Sequence, residues 1–593
     1  MSDTIQTFRI RKSTGTHADV FAAVGLADLL RSVQDAGAVR LIEREAEFEV
    51  HLLTPMGKAA LVDRIPKIPG YPFLKANENV RVPAGVHDFV DYKAEKAKAD
   101  RKKQFAGSKR KNKQKVVDVE TQQLIQEEQL REDWRLLQVL NTLQGDETAN
   151  RVHETIIRKR PEQFRSDLAN ALDAVVRQKP ANLDWKVSTV QLFTPIAAKG
   201  YSRLKPDSTD RNDKTKEQWA DPFTEWLRYR GYFRTACPFF QGQKAEHVRL
   251  VCPIPYNISI GAIESVAREL RKGGVYGGSP KMDALAVLKL AELLVRHSEE
   301  YHDPYAEVFP GLSLRGKTPA EAISGVTVTH YQSLGKAHAV SAMSSLALPG
   351  WFPIESKKDA GDWLAILDEH QRIIRRLQDD RSDEIGLLVA YRRLLEKRSE
   401  SAIWALVEFM ERYGPFVMRA NGLRLNGRVR WIRRFTDQHF RRIIMGTNAH
   451  LVEIINDAGF EAVARAVRQA TVTSQNRKAR GEQVWREIRY ELLHDLHRTR
   501  KAPGNAFIEC VMEFISHYNR ENARHRETTK NPKAAPANVS DEELKEFVAL
   551  VDRHGAAVVG ALLAAYGSCK EKWEPEDVDS AQESDGTSGD RQP

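Results

Sequence analysis

The stretch RANGLRLNGRVRWIRRFTDQHFRRIIMGTNAHLVEIINDAGFEAVARAVRQATVTSQ, residues 419–475, decides how the rest of the chain is read. Between Arg419 and Arg442 it holds eight arginines and one acidic residue, Asp437, set among Trp431, Phe435 and Phe440. Thr436 is placed to N-cap a helix carrying Phe440, Ile443 and Ile444, with Gly446, Thr447 and Asn448 as its stop. Leu451, Ile454 and Ile455 begin another helix, ended near Asp457-Ala458-Gly459. Phe460, Val463, Ala464, Val467 and Ala470 then repeat at i, i+3, i+4, i+7, which predicts a helix with Arg465 and Arg468 facing away from the apolar stripe. An arginine patch thus opens onto a helix bundle.

The bundle continues downstream. Val484, Trp485, Ile488, Leu492 and Leu496 predict one helix, and Phe507, Cys510, Val511, Phe514, Ile515 and Tyr518 another. Ser540-Asp541-Glu542-Glu543 has the pattern of a capping box and opens a last helix through Leu544, Phe547, Val548 and Val551. Upstream, Trp363–Leu377, Ile385–Leu395 and Ile403–Tyr413 are expected helices.

The N-terminal half is mixed. Phe8 and Ile10 alternate with arginines, a helix is expected over Asp19–Gln34, and strands over Val39–Ile42 and Ala46–Leu52. Residues 93–115 carry eleven Lys/Arg against Glu95 and Asp100, which reads as a solvated mobile loop or a flexible arm on a phosphate backbone. Helical stripes continue to about residue 180, then strands over Val187–Thr194, Val248–Pro253 and Gly325–Tyr331, and a helix over Lys281–His297. Trp219, Phe223, Trp226, Tyr229, Tyr232 and Phe233 interleave with Arg228, Arg230 and Arg234, a pattern that suits either base stacking or a core edge. The expected fold is α+β and predominantly helical: a mixed α/β N-terminal body followed by a C-terminal helix bundle. The expected divisions are 1–92, a basic flexible segment 93–115, a mixed body 116–354, a helical connector with the arginine patch 355–435, the bundle 436–569 and an acidic, disordered tail 570–593.

Composition narrows the function. The chain has 593 residues and a net charge of +10, which favours a polyanionic partner. No apolar run reaches the roughly 18 residues that span a bilayer, and the N-terminus MSDTIQTFRIRKS lacks a signal-peptide core; a cytoplasmic protein without membrane association is expected. Four scattered cysteines, Cys237, Cys252, Cys510 and Cys569, form no zinc or disulfide pattern and read as unreactive thiols. Gly273–Ser279 is glycine-rich without the Lys-Ser/Thr of a phosphate loop, and reads as a turn. His494 and His497 share a helix face but lack a third ligand. No nucleophile–base set is complete, so no enzyme activity, metal or cofactor is expected.

On the segment VRWIRRFTDQHFRRIIMGTNAHLVEIINDAGFEAVARAVRQATVTSQ, the layout and the basic charge, the chain resembles the large subunit of a type I CRISPR effector complex (Cascade), the Cas-eight family. The resemblance implies a non-catalytic role: contacting the PAM duplex of target DNA, stabilising the displaced strand, and helping recruit the helicase–nuclease. It implies as partners the guide CRISPR RNA complex and the Cascade backbone and small subunits. The C-terminal bundle would resemble the small subunit, which some subtypes make from an internal start; Met410, Met418 and Met445 are candidates here. Candidate nucleic-acid-binding residues are Arg424, Arg428, Arg430, Arg433, Arg434, Arg441, Arg442, Arg465 and Arg468, with Lys102, Lys103, Lys109, Arg110 and Lys111 on the basic segment. Two other readings stay open. Leu451–Ile455 and Phe460–Gln475 could form a helix-turn-helix of a stand-alone DNA-binding regulator, and a nuclease could assemble a dispersed metal site.

Overall fold

A computed structural model describes residues 4–571 except 33, 35–37, 66–71, 83–85, 87, 112–128, 144, 180, 182, 186–191, 194–220, 242–246, 274, 303, 335–337, 398–399, 425–430 and 529–535. The strand expected over 187–194 and the acidic tail fall largely outside these residues. The chain folds as two compact units. The first takes Met1–Gly273, His297–Ser313 and Ala320–Ser345; the second takes Gly274–Arg296, Leu314–Pro319 and Leu346–Pro593.

The first unit begins with β1 (Thr4–Arg11), α1 (His17–Leu30), β2 (Val39–Glu43), β3 (Glu47–Gly57), α2 (Lys58–Arg64), β4 (Phe73–Lys75) and β5 (Phe89–Asp91). Helices α3 (Tyr92–Lys111), α4 (Trp134–Thr142), α5 (Glu147–Val152), α6 (Pro161–Val176) and α7 (Pro222–Thr235) come next. Then come β6 (Cys237–Gln241), β7 (His247–Pro255), β8 (Asn257–Ser259), α8 (Ile260–Arg271), β9 (Ile323–Ser333) and β10 (His338–Ala347). Two four-stranded sheets result, ordered β1-β3-β2-β8 and β10-β9-β7-β6. In β3, Phe48, Val50 and Leu52 are buried, but so is Glu49 between them, and Ala46, just before the strand, is exposed.

Helix α1 is buried along its whole length, not on one apolar side as its periodicity suggests. Thr16 caps it, and His17 is held by Thr329 Oγ1 and the Leu192 carbonyl, both at 2.8 Å. Burial pushes the His17 pKa down to about 4. Its neighbour is α7, and the two backbones meet at glycines. A Cβ on Gly25 would lie 1.9 Å from the Leu227 carbonyl oxygen, and one on Gly231 would lie 2.0 Å from that of Phe21. Only glycine permits so close a crossing.

That crossing explains the aromatic–arginine stretch. Phe223, Trp226, Tyr229 and Tyr232 are core residues, and the arginines between them are paired inside the unit. Arg228 bonds Glu225 at 2.5 Å; Arg230 and Arg234 each reach Asp28 on α1 at 2.8 Å. Of the two readings of this stretch, the core edge is the observed one. Cys237 and Cys252 lie beneath it, buried and free, with the Cys237 thiol pushed up to about 12 by burial.

The second unit is helical. It contains α9 (Ser279–Arg296), α10 (Lys357–Arg376), α11 (Ser382–Leu394), α12 (Glu400–Arg424), α13 (Asp437–Thr447), α14 (Ala449–Ile455) and α15 (Ala458–Arg468). It ends with α16 (Ser474–Ala479), α17 (Leu492–Thr499), α18 (Ala506–Thr528), α19 (Asp541–His554) and α20 (Ala556–Gly567). Helix α9 interrupts the first unit in sequence but packs on α10 and α11. The capping box at Ser540 forms, with both reciprocal bonds present. The helix expected from Val484 starts only at Leu492, and Val484–Glu491 is irregular. Asp457 caps α15 rather than ending α14, so Ala458 and Gly459 are already helical.

Candidate nucleic-acid interface

The arginine segment 431–436 is laid along α12 by side chains rather than by a sheet. Asn421 works as a two-point clasp: the Ile432 N–H donates to its Oδ1 at 2.8 Å, and its Nδ2 donates to the Ile432 carbonyl at 3.0 Å. The Tyr413 hydroxyl donates to the Arg433 carbonyl at 2.6 Å. Phe435 then enters an aromatic cluster with His370, Phe409 and Tyr413. His370 bonds the Tyr391 hydroxyl at 2.7 Å, and burial pushes its pKa down to about 4. Thr436 does stand at the N-cap of α13, but its hydroxyl donates to Glu369 at 2.5 Å instead of capping.

Arg434 is an interior residue, 3% exposed. Its guanidinium donates to Asn476 Oδ1 at 2.7 Å and to Gln475 Oε1, and lies 5.7 Å from the Trp431 ring. Gln475 in turn donates to the Met418 carbonyl at 2.8 Å. These two amides come just after a π-helical turn, Gln469–Thr473, between α15 and α16. Such a turn inserts an extra residue and rotates the next helical turn about the axis. Thr471, Thr473, Ser474, Gln475 and Asn476 are all buried there as a polar interior cluster.

Three more arginines of the sequence-based set hold the bundle together. Arg441 bonds Glu461 at 2.6 Å and Asn456 at 2.5 Å. Arg442 bonds Asp359 at 2.6 Å and sits 3.8 Å over the Phe352 ring. Arg468 is 4% exposed and reaches Asp437 at 2.9 Å and Glu571 at 3.3 Å. The expectation that Arg468 faces outward is therefore corrected, and Arg434, a candidate nucleic-acid-binding residue, is also interior. Arg468 sits opposite the apolar stripe of α15 in sequence, but carboxylates brought in from other parts of the chain draw it inside, as the amides of Gln475 and Asn476 do Arg434. Arg465 is half-exposed, 3.8 Å from Glu543.

The cations left in solvent form a rim. Arg419 is 70% exposed and only 3.9 Å from Asp383. Arg412, exposed, lies seven residues before it on the same face of α12, about 10 Å away along the axis. Helix α16 meets α12 at the Met418–Gln475 bond, and Arg477 and Lys478 are exposed within a turn of that point, Arg477 in a surface pair with Glu482 at 2.9 Å. Arg433 is partly exposed beside it. The Arg424 side chain, at the end of α12, and Arg428 and Arg430 lie outside the described residues. Arg412, Arg477 and Lys478 were not among the candidates read from the sequence. The i, i+7 spacing of Arg412 and Arg419 was the available signal.

The basic segment 93–115 is not a loop over its described part: α3 runs from Tyr92 to Lys111. Alanine, lysine, arginine and glutamate are strong helix formers, and Lys98 pairs with Glu95 at 2.7 Å one turn away. Tyr92 anchors the helix by stacking on Trp134. Lys102 is partly exposed; the side chains of Lys103, Lys109, Arg110 and Lys111 lie outside the described residues.

The other motifs have structural explanations. The Gly278 N–H donates to Asp379 at 2.8 Å, so a carboxylate of the chain itself occupies the N-terminus of α9. His497 pairs with buried Glu411 at 2.9 Å, alongside Arg500. Among the described residues no group of three or more His, Cys, Asp or Glu side chains is arranged to hold a metal. No helix among them is long and apolar enough to cross a membrane. Met410 and Met418 lie inside α12 and are buried, whereas Met445 lies in α13 and is exposed. No family model matches the chain, and no curated protein matches it.

Proposed function

We propose that this chain is the non-catalytic large subunit of a CRISPR RNA-guided DNA surveillance complex. In this role it contacts the PAM duplex, stabilises the displaced non-target strand and helps recruit the helicase–nuclease. The observation that carries the reading is the partition of the arginines. Arg434, Arg442 and Arg468 are engaged inside the bundle, whereas Arg412, Arg419 and Lys478 stay exposed near where α12 meets α16, with Arg477 beside them in a surface pair to Glu482. A rigid bundle edged with cations suits a displaced strand, which offers phosphates and no fixed base edges to read. Guide–target pairing supplies the sequence specificity, so the protein needs backbone contacts and a short duplex readout. The partners are target DNA, the guide RNA complex, and backbone and small subunits.

The regulator reading is weaker on a specific observation. Helix α15 would have to enter a major groove, yet Phe460, Ala462, Val463, Ala464, Ala466, Val467 and Arg468 are buried against the bundle.

The test is co-expression of the chain with the neighbouring genes of its own locus. Co-purification with a guide RNA and a repeated backbone subunit, together with protection of the displaced strand in footprints, is the expected result. A chain that purifies free of RNA and alone shifts a specific duplex would sink this reading and favour the regulator.

A further inference from the structure

A chain of ring and guanidinium contacts runs from the interior of the second unit to its surface through the irregular segment 484–491. Tyr518 of α18 is buried, and the Arg486 guanidinium lies 4.0 Å over its ring. Arg486, also buried, donates to Asn522 and lies 4.7 Å from the Trp485 ring. Trp485 lies parallel to His525, with centroids 3.9 Å apart and planes 4° from coplanar. Tyr518 and Arg486 are enclosed, whereas Trp485 and His525 are partly exposed, so the contacts end in a flat aromatic pair at the surface.

Cations surround that pair. Residues 484–490 and 517–526 together hold five arginines against two glutamates, Glu487 and Glu521. Both glutamates are engaged by Arg489, at 3.2 and 2.7 Å. Arg526 donates to the Pro536 carbonyl at 2.9 Å. Arg520 and Arg524 are exposed and have no ion pair among the described residues. They stand at i, i+4 on one face of α18, and Arg524 directly precedes His525, about 100° round the helix. Glu513 and Glu527 lie at the outer ends of that face.

We propose that the Trp485–His525 pair is a stacking platform for an unpaired base of single-stranded nucleic acid, with Arg520 and Arg524 on the flanking phosphates. The chemistry selects the ligand. A π-face next to free guanidiniums matches a base next to its phosphates, and only an unpaired base exposes its face. The inference rests on the proposed function and deepens it: charge alone holds the strand at the α12–α16 rim, whereas here a base is held.

The test uses the full chain and fluorescence anisotropy. The probes are an oligothymidylate of about 20 nucleotides and an abasic phosphodiester of the same length. His525→Ala is expected to weaken oligothymidylate binding about tenfold, leave the abasic strand unaffected, and be rescued by His525→Phe. Arg520→Glu with Arg524→Glu should weaken both strands. Thermal unfolding of each variant guards against misfolding, because His525 is only partly buried and its loss should leave the midpoint near wild type. Equal loss on both strands after His525→Ala, no loss on either, or no binding by the wild type would overturn the platform. If His525→Ala changes nothing while charge reversal at Arg419 and Lys478 still weakens binding, the platform falls and the proposed function stands.

Discussion

Arg434 and Asn476 are 42 residues apart in sequence and 2.7 Å apart in the fold, joined by a guanidinium–amide hydrogen bond in the interior of the second unit. This bond ties the arginine segment to the residues just after the π-turn. Gln475, which also accepts from Arg434, passes the link to the Met418 carbonyl on α12. Three stretches of chain are therefore set by one side chain, and the exposed cations Arg419, Arg477 and Lys478 take their positions from it.

Replacing Arg434 should damage the fold before it touches any ligand. Arg434→Ala strands two buried amide oxygens, and losing charge-assisted bonds of this kind costs about 3 kcal/mol. Arg434→Lys should recover little, because an ammonium cannot span both amides as the planar fork does. Urea unfolding followed by tryptophan fluorescence reads the effect. An unchanged midpoint in Arg434→Ala would show that the arginine does not anchor the bundle.

Asp28 gives the first unit a pH-dependent anchor. Burial pushes its carboxyl up, but the Arg230, Arg234 and Arg31 guanidiniums outweigh that and hold it below the usual carboxylate range. A carboxyl whose pKa is depressed on folding binds fewer protons in the native state than in the unfolded one. Its stabilisation is complete above the unfolded value of about 3.9 and is lost as pH falls through the lower folded value. Asp28→Asn should cost about 3–5 kcal/mol at neutral pH by removing the buried carboxylate that Arg230, Arg234 and Arg31 share, Glu264 still reaching Arg234 and Arg31. The gap to wild type should close only below about pH 4. A gap that stays constant down to pH 3 would refute this account of Asp28.

The α1–α7 crossing predicts a steep cost for the smallest possible side chain. Gly25→Ala and Gly231→Ala each place a methyl group on a facing backbone oxygen, at 1.9 and 2.0 Å, where no flexible side chain can yield. The helices must separate, which strains the aromatic core around Phe21 and Tyr232. Overpacking costs about 1–3 kcal/mol in ordinary cores, and this contact belongs at or above the top of that range. Calorimetric unfolding of the two variants is the measurement; a loss under about 0.5 kcal/mol would mean the crossing relaxes freely.

The sequence revealed local features and missed those made by distant partners. The Ser540 capping box, β7, β9 and α18 were legible because each is written in a few consecutive residues. Helix α20, AAVVGALLAAYG, carries no stripe because it is buried nearly all round, so periodicity passed over it. Trp485 and Ile488 mimic a helical repeat, yet Trp485 is used by His525 and the chain there stays irregular. The excess of arginine at 419–442 was plain, but not its division. Arg442 is answered by Asp359, 83 residues away, and Arg441 by Glu461 across a turn of two helices. Charge along a sequence shows how many cations a region has; only packing shows which remain for a ligand.

Salt dependence will separate the two kinds of arginine. Each phosphate contact on a single strand contributes about 0.7 to the slope of log Kobs against log salt. Arg419→Gln and Lys478→Gln should each lower that slope by roughly this amount while leaving the unfolding midpoint unchanged, since surface pairs such as Arg419–Asp383 at 3.9 Å contribute little. Arg442→Gln should do the reverse. It breaks the part-buried pair to Asp359 at 2.6 Å and the guanidinium's stacking over Phe352, and so lowers stability, with the slope per folded molecule unaltered. Binding titrations on a displaced-strand oligonucleotide at several salt concentrations, each paired with an unfolding curve, decide the matter. A slope that drops for Arg442→Gln but not for Arg419→Gln would move the interface away from the α12–α16 rim and back to the arginines of α13.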